Sequence, residues 1–527
     1  MSEVALKQHK LYVKLEPRRG TIYDRLNRVF ALYLDTPSIF AVPNEIGDKE
    51  STAAILSGNL NEKESVILKK LKKDNYFAWI QRKVTPSLAE KINGLGLTGV
   101  YVMNEPKRFY PGKKMACHVL GFTGIDNSGL EGVELYYDTE LAGESGWRRS
   151  LRDAKRREVA SYDDSAMPAR DGNGLTLTID EVIQHIIERE IEKIVKAYNP
   201  SAVSIVLIVP GTGEILGLAN YPGFDPNDLQ NIKKAFVRNR TITDSFEPGS
   251  VFKIITAGAA LEENVVDFDT EIFCENGAYK VGKRTLHDYR PYGIVTFRKI
   301  IEKSSNIGTV KVAEKLGKEK LALYIKKFGF DNLTGIDLPG EVPGIMRNPS
   351  GWSYVDMTTI PMGQGIAVTN LQLATAVSAV ANGGLLMKPY VVKEFVNEKG
   401  DLIRITKPKV VRRVLSGKSA DKVKELMEGV ILRGTGKRAK LSNFRAGGKT
   451  GTAQKVRPRG GYYKDKYVAS FIGFAPYDKP EIALVITVDD PKKKYFGGQV
   501  AAPAFKNIAE KVLSYMEVPN DKNKKSS

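Results

Sequence analysis

Three short segments of this 527-residue chain carry side chains that could do covalent chemistry. The first is Glu247-Pro248-Gly249-Ser250-Val251-Phe252-Lys253, followed by the apolar run Ile254-Ile255-Thr256-Ala257-Gly258-Ala259-Ala260-Leu261. Pro248 and Gly249 punctuate the start of a buried helix, and a spacing of three places Ser250 and Lys253 on one face of it. A hydroxyl is a poor nucleophile at its own pKa and needs an adjacent base, a role a desolvated lysine can fill. The positive end of a helix favours the alkoxide as it forms. Taken alone, the pair reads more readily as a helix cap beside a solvated lysine. The second segment is Ser304-Ser305-Asn306, flanked by Ile301, Ile307, Val310 and Val312, and the third is Gly447-Gly448-Lys449-Thr450-Gly451-Thr452.

In that order, S-x-x-K, S-x-N and K-T-G form the signature of penicillin-binding proteins and serine β-lactamases. The chain resembles class B penicillin-binding proteins over nearly its whole length. The resemblance includes Arg238-Asn239-Arg240, the Glu-Pro-Gly lead into Ser250, Lys303 through Gly308, and Gly363-Gln364-Gly365 through Ala374. Arg19-Gly20-Thr21-Ile22-Tyr23-Asp24-Arg25 is similar to the family's opening segment, although Leu26-Asn27-Arg28 stands where the family has Asn-Gly. Within class B the likeness is to the division-type (septal) transpeptidases.

The resemblance implies a peptidoglycan D,D-transpeptidase and assigns roles to the three segments. Ser250 attacks the penultimate D-alanine carbonyl of a stem peptide, and Lys253 takes its proton. Ser304 relays a proton to the leaving amine, Asn306 holds substrate and Lys253, and Lys449 supplies positive charge. Thr450 and Thr452 bind the terminal carboxylate, and Gly451 lets substrate backbone approach. Backbone N–H groups of Ser250 and Thr452 form the oxyanion hole. Neither metal nor organic cofactor is required, and β-lactams acylate Ser250 as mimics of D-alanyl-D-alanine. The alternatives are a D,D-carboxypeptidase and a β-lactam sensor or inactive penicillin-binding scaffold. A β-lactamase needs a group activating a deacylating water, and none stands at a diagnostic spacing. A phosphate-binding loop at Gly448-Lys449-Thr450 fails because Asn443 occupies the position of its first glycine.

The net charge is +19, from 80 Lys+Arg against 61 Asp+Glu. These cations are dispersed and accompany no nucleic-acid-binding motif, so they suit anionic lipid or wall polymer better than nucleic acid. Cys117 and Cys274 fall in different expected domains and predict no disulfide; neither they nor His9, His118, His185 and His287 make a metal motif. The pair His287-Asp288 reads as a hydrogen-bonded structural element. No run reaches the ~18 apolar residues of a membrane span, and Met1 through Gln8 do not read as a signal peptide. The family normally carries an N-terminal membrane anchor, so the expected location is the cell membrane, facing the periplasm or exterior.

The positioning elements follow from periodicity. Residues 1–170 predict a mixed α/β pedestal, with strands at Ile39–Val42 and Phe77–Ile80 and a surface helix from Glu62 to Leu71. The charged stretch from Trp147 to Arg157 reads as a solvated face, with an interaction surface as the alternative. By resemblance, this pedestal meets partners: a membrane-embedded glycan polymerase and divisome proteins. The Arg19–Arg25 segment is expected to help that coupling, with a structural hinge as the alternative. Residues 171–517 predict the transpeptidase domain, an antiparallel sheet sandwiched by helices. Its signals are a strand at Leu175–Ile179, a long helix with Ile183, Ile187, Ile191 and Ile194 on one face, a hairpin through Pro210-Gly211-Thr212-Gly213, late strands at Val468–Phe474 and Ile482–Val488, and a last helix from Phe505 to Met516. Residues 518–527 predict a disordered basic tail.

Overall fold

The computed structural model describes residues 10–73, 77–152, 158–159, 166–282, 284–458 and 460–520. The tail beyond residue 520, and the centre of the charged stretch at 153–157, lie outside the described residues.

The catalytic half is built on a five-stranded antiparallel sheet in the order Ile215–Tyr221, Ala202–Ile208, Ile482–Asp489, Tyr462–Ala475, Gly447–Val456. Early and late strands therefore meet side by side, Ala202–Ile208 against Ile482–Asp489, around a helical middle. Three of these strands are buried along almost all of their length, because helices cover both faces. One face packs on helices Glu181–Tyr198 and Gly497–Tyr515, burying Ile183, Ile187, Phe471, Phe505 and Leu513. The other packs on Lys253–Glu262, Asn370–Ala381 and Gly417–Leu432, burying Ile254, Leu371, Val377, Met427 and Ile472. Asp180 caps the long helix by accepting from Val182 N and Ile183 N, where a carboxylate satisfies otherwise unpaired donors. The last helix begins at Gly497, eight residues before Phe505, and runs through Pro503.

The pedestal centres on the 13-residue strand Val29–Ala41, paired antiparallel with Val100–Phe109 and Ala78–Gln81. Helices Lys49–Asn59, Glu64–Leu71 and Pro86–Gly94 cover it, burying Ile39, Leu56, Ile67, Leu71 and Ile92. A second pedestal core is ionic. The buried Glu134 carboxylate accepts from Arg19 Nε and Arg108 Nε, each at 2.6 Å, and from Tyr110 OH at 3.2 Å.

One sheet crosses between the two halves. Its order is Leu402–Ile405, Val392–Val396, Gly174–Leu177, Ile22–Tyr23, Val29–Ala41, Ala78–Gln81, with Val100–Phe109 also paired to Val29–Ala41. Ile22 pairs with Leu175, and Tyr23 with Thr176, in parallel. The Arg19–Arg25 segment thus ties the two halves together. Asp24 is fully buried; its carboxylate accepts from Leu26 N and Arg28 N at 2.8 Å and from Glu181 N at 3.2 Å. The mixed charges of this segment find partners inside the protein, which sequence alone does not reveal.

Candidate active site

Ser250 lies in a single 3-10 turn, Gly249–Phe252, and Lys253 opens the α-helix that follows. The expected helix mouth is therefore a junction between two helix types. Gly249 enters it at φ +56°, where glycine costs least, and its N–H donates to Gly363 O at 2.9 Å. A Cβ on Gly363 would sit 2.2 Å from Gly249 O, so position 363 must be bare for its loop to lie against the Ser250 turn. Glu247 ties the same loop down: its carboxylate, raised in pKa by burial, accepts from Gly365 N at 2.8 Å and Tyr462 OH at 3.0 Å.

Ser304 ends helix Phe297–Lys303 and, one residue later, Ser305 caps helix Asn306–Leu316. Ser304 is left-handed (φ 60°, ψ 40°), a conformation that costs a non-glycine residue ~1–2 kcal/mol. That kink turns its side chain between the two site lysines.

Lys449 lies on strand Gly447–Val456, the edge of the five-stranded sheet, and is fully buried, as is Lys253. Lys253 Nζ donates to Asn306 Oδ1 and Ser304 O, each at 2.7 Å, and to Ser304 Oγ at 3.3 Å. Lys449 Nζ donates to Ser304 Oγ at 2.9 Å and to Thr450 O at 3.2 Å. Ser304 Oγ is thus shared by two cationic side chains, and among the described residues neither lysine has a carboxylate at ion-pair distance. Burial pulls Lys253 from 10.5 down to about 7, partly offset by the Asp288 carboxylate. Burial first, and the charge of Lys253 second, hold Lys449 well below its ordinary range.

Strand alternation puts Lys449 and Gly451 on one face and Thr450 and Thr452 on the other. Thr450 Oγ1 lies 2.7 Å from Thr435 Oγ1, and Thr452 Oγ1 accepts from Gly497 N at 3.0 Å. Gly451 borders the pocket, but its missing side chain serves packing. A Cβ there would stand 2.3 Å from Ser470 Oγ, 2.9 Å from Val251 Cγ1 and 3.1 Å from Pro248 O. The bare position lets the strand touch the Ser250 turn where it borders the pocket.

Ser250, Ser304, Asn306, Thr450, Gly451 and Thr452 line one cavity of about 490 Å3, with Lys253 and Lys449 beneath it. Tyr289, Thr435, Phe496 and the cations Lys303, Lys437 and Arg438 complete its rim. Sequence reading picked out only Lys303 of these six, because the other five come from loops and short turns with no periodicity. A larger groove of about 720 Å3 runs over the shared sheet past Arg18, Tyr33, Asp171 and Glu394, without a nucleophile beside a base. Cys117 and Cys274 are free and buried, and no described helix is long and apolar enough to cross a membrane.

Residues 203–510 match the penicillin binding protein transpeptidase domain, and residues 14–177 match the penicillin-binding protein dimerisation domain. Stage V sporulation protein D of Bacillus subtilis is 39% identical, over 96% of this chain and 80% of its own length. The peptidoglycan D,D-transpeptidase FtsI of Escherichia coli is 33% identical, over 95% of this chain and 84% of its own. Penicillin binding protein 3 of Mycobacterium tuberculosis, solved in complex with aztreonam, superposes with a TM-score of 0.75 at 26% identity, covering 96% of this chain and 98% of that one.

Proposed function

The chain belongs to the class B penicillin-binding proteins, and from that premise we propose how its side chains divide the work of a peptidoglycan D,D-transpeptidase. The enzyme cross-links stem peptides through a serine acyl-enzyme and is acylated by β-lactams. The observation supporting the assignment is the convergence of Ser250, Ser304 and Thr450 on one cavity, with Ser304 Oγ held between two buried lysines.

With its pKa near 7, Lys253 is available as a neutral amine at physiological pH. It accepts the Ser250 proton as Oγ attacks the penultimate D-alanine carbonyl. The tetrahedral oxyanion is received by the backbone N–H groups of Ser250 and Thr452, where one donor is worth ~3 kcal/mol of barrier. As the bond to the last D-alanine breaks, the proton passes from Lys253 through Ser304 Oγ to the leaving amine. A second stem-peptide amine then attacks the ester, gives up its proton by the same route, and restores Ser250. Thr450 and Thr452 hold the terminal carboxylate, with Lys449 and the rim cations supplying positive charge.

The substrate lies outside the cytoplasmic membrane, so the catalytic half works on that face. The enzyme makes cross-links and adds no sugar, so a glycan polymerase must work beside it; a membrane-embedded polymerase and divisome proteins fit the pedestal as partners. We place the enzyme in division-type wall synthesis, in keeping with its likeness to FtsI. A sporulation role is the second reading, favoured by the 39% identity to Stage V sporulation protein D.

Incubation with benzylpenicillin, followed by intact mass and peptide mapping, tests the assignment. One covalent equivalent on Ser250 is expected, absent in Ser250→Ala while the unfolding temperature stays unchanged. Labelling that survives in Ser250→Ala refutes it.

A further inference from the structure

Asp288 belongs to none of the three motifs, yet it grips the second one. It follows strand Arg284–His287, and its own N–H donates to Gly277 O at 3.1 Å. Its carboxylate faces the first turn of helix Asn306–Leu316. Oδ1 accepts from Asn306 N at 2.5 Å and Ile307 N at 3.2 Å, and Oδ2 accepts from Ser305 Oγ at 2.6 Å. Ser305 Oγ in turn accepts from Gly308 N at 2.9 Å. Three donors of a helix start, which have no partner within the helix, are satisfied this way.

The neighbouring carbonyl completes the grip. Asn306 Nδ2 donates to His287 O at 3.0 Å, which orients the amide so that its oxygen meets Lys253 Nζ. His287 and Asp288 thus hold Asn306 by side chain and backbone at once. The adjacent Ser304 is left-handed, so without an external hold the kink can relax and carry Ser304 Oγ away from both lysines.

We propose that Asp288 is a positioning residue for acylation: it fixes the Ser304-Ser305-Asn306 segment so that Ser304 Oγ and Asn306 Oδ1 stay on Lys253 Nζ. This rests on the reading of Ser250 as nucleophile and Lys253 as base. A second effect follows from charge. Asp288 acts on Lys253 from the opposite side of Asn306 and counters part of the burial that favours the neutral amine. Other charged or titratable groups around the pair include Lys449 on the edge strand, His287 beside Asp288, Cys274 whose Sγ lies 3.6 Å from Ser305 Oγ, Lys311 and Glu275 close to Cys274, and Arg290 and Tyr292 in the loop of Asp288.

The test separates geometry from charge. Acylation by a fluorescent penicillin is followed by stopped flow from pH 5.5 to 9, resolving initial binding from the covalent step, on protein whose folding is checked by thermal unfolding. Asp288→Ala removes the grip, and the covalent step is expected to slow about a hundredfold, as for misplacement by ~1 Å, with initial binding little changed. Asp288→Asn keeps an acceptor for Asn306 N and Ile307 N but removes the charge. It is expected to recover most of the rate while the rising limb of the pH profile moves towards acid. A covalent step at the wild-type rate in Asp288→Ala overturns the proposal, as does an unmoved limb together with no rate recovery in Asp288→Asn. Absence of acylation in the unsubstituted enzyme would strike instead at the transpeptidase reading itself.

Discussion

With Lys253 as the proposed base, acylation should rise with pH and then level off near neutrality, because burial moves the titration of this lysine to about pH 7. The perturbation is pH alone. For a group titrating near 7, the neutral fraction is about one-eleventh at pH 6 and ten-elevenths at pH 8, a tenfold rise that flattens above neutrality. A lysine at its ordinary value would instead drive a hundredfold rise over the same interval without levelling, since its neutral form is still about 0.3% at pH 8. The second-order acylation constant reports the free enzyme and can be followed with a fluorescent penicillin by stopped flow. A flat profile would remove Lys253 as base, and an unbroken hundredfold climb would refute the burial argument. The same titration enters stability. The folded value lies below the unfolded one, so the unfolded chain binds more protons between about pH 7 and 10.5, and this lysine's contribution improves with pH across that window. Below about 7 both states are charged, and the full penalty of burying the charge remains.

Other substitutions probe the scaffold. Gly451→Ala drives a methyl into Ser470 Oγ and Val251, so about 1–3 kcal/mol of stability should be lost by urea denaturation, with acylation slowed at least tenfold as the nucleophile turn is pushed off the strand. Glu134→Gln leaves Arg19 and Arg108 with less than their charge partner inside the pedestal; a loss of ~3–5 kcal/mol is expected, with penicillin labelling of Ser250 retained in the folded fraction.

The site was legible in sequence where its residues are close together. Ser250 with Lys253, Ser304 with Asn306, and Lys449 through Thr452 each lie within one turn or one short strand, so local spacing carried them. The Ile183–Ile194 stripe was legible for the same reason: a helix buries one face at a fixed period. The start of the last helix was not, since Gly497, Gly498 and Pro503 read as breaks, whereas Gly497 is bare because a Cβ there would meet Gly451 O at 2.2 Å. Tyr289, Thr435 and Phe496 reach the cavity from separate loops, and their meeting depends on the whole chain path. The ladder joining Ile22–Tyr23 to Gly174–Leu177 and Val392–Val396 brings together segments hundreds of residues apart, and strands give no local sign of distant partners.

A sheet held in common makes the two halves one lever. Load entering the pedestal passes to the catalytic half through the backbone ladder at Ile22↔Leu175 and Tyr23↔Thr176, and onward to Val392–Val396. A soft tether would let the pocket wander over a volume of wall. A ladder of this kind instead gives it a set reach and heading, so the tilt of the pedestal aims the nucleophile. Glycan strands must then be delivered to the height at which the pocket is held, and whatever orients the pedestal also chooses which strands are joined.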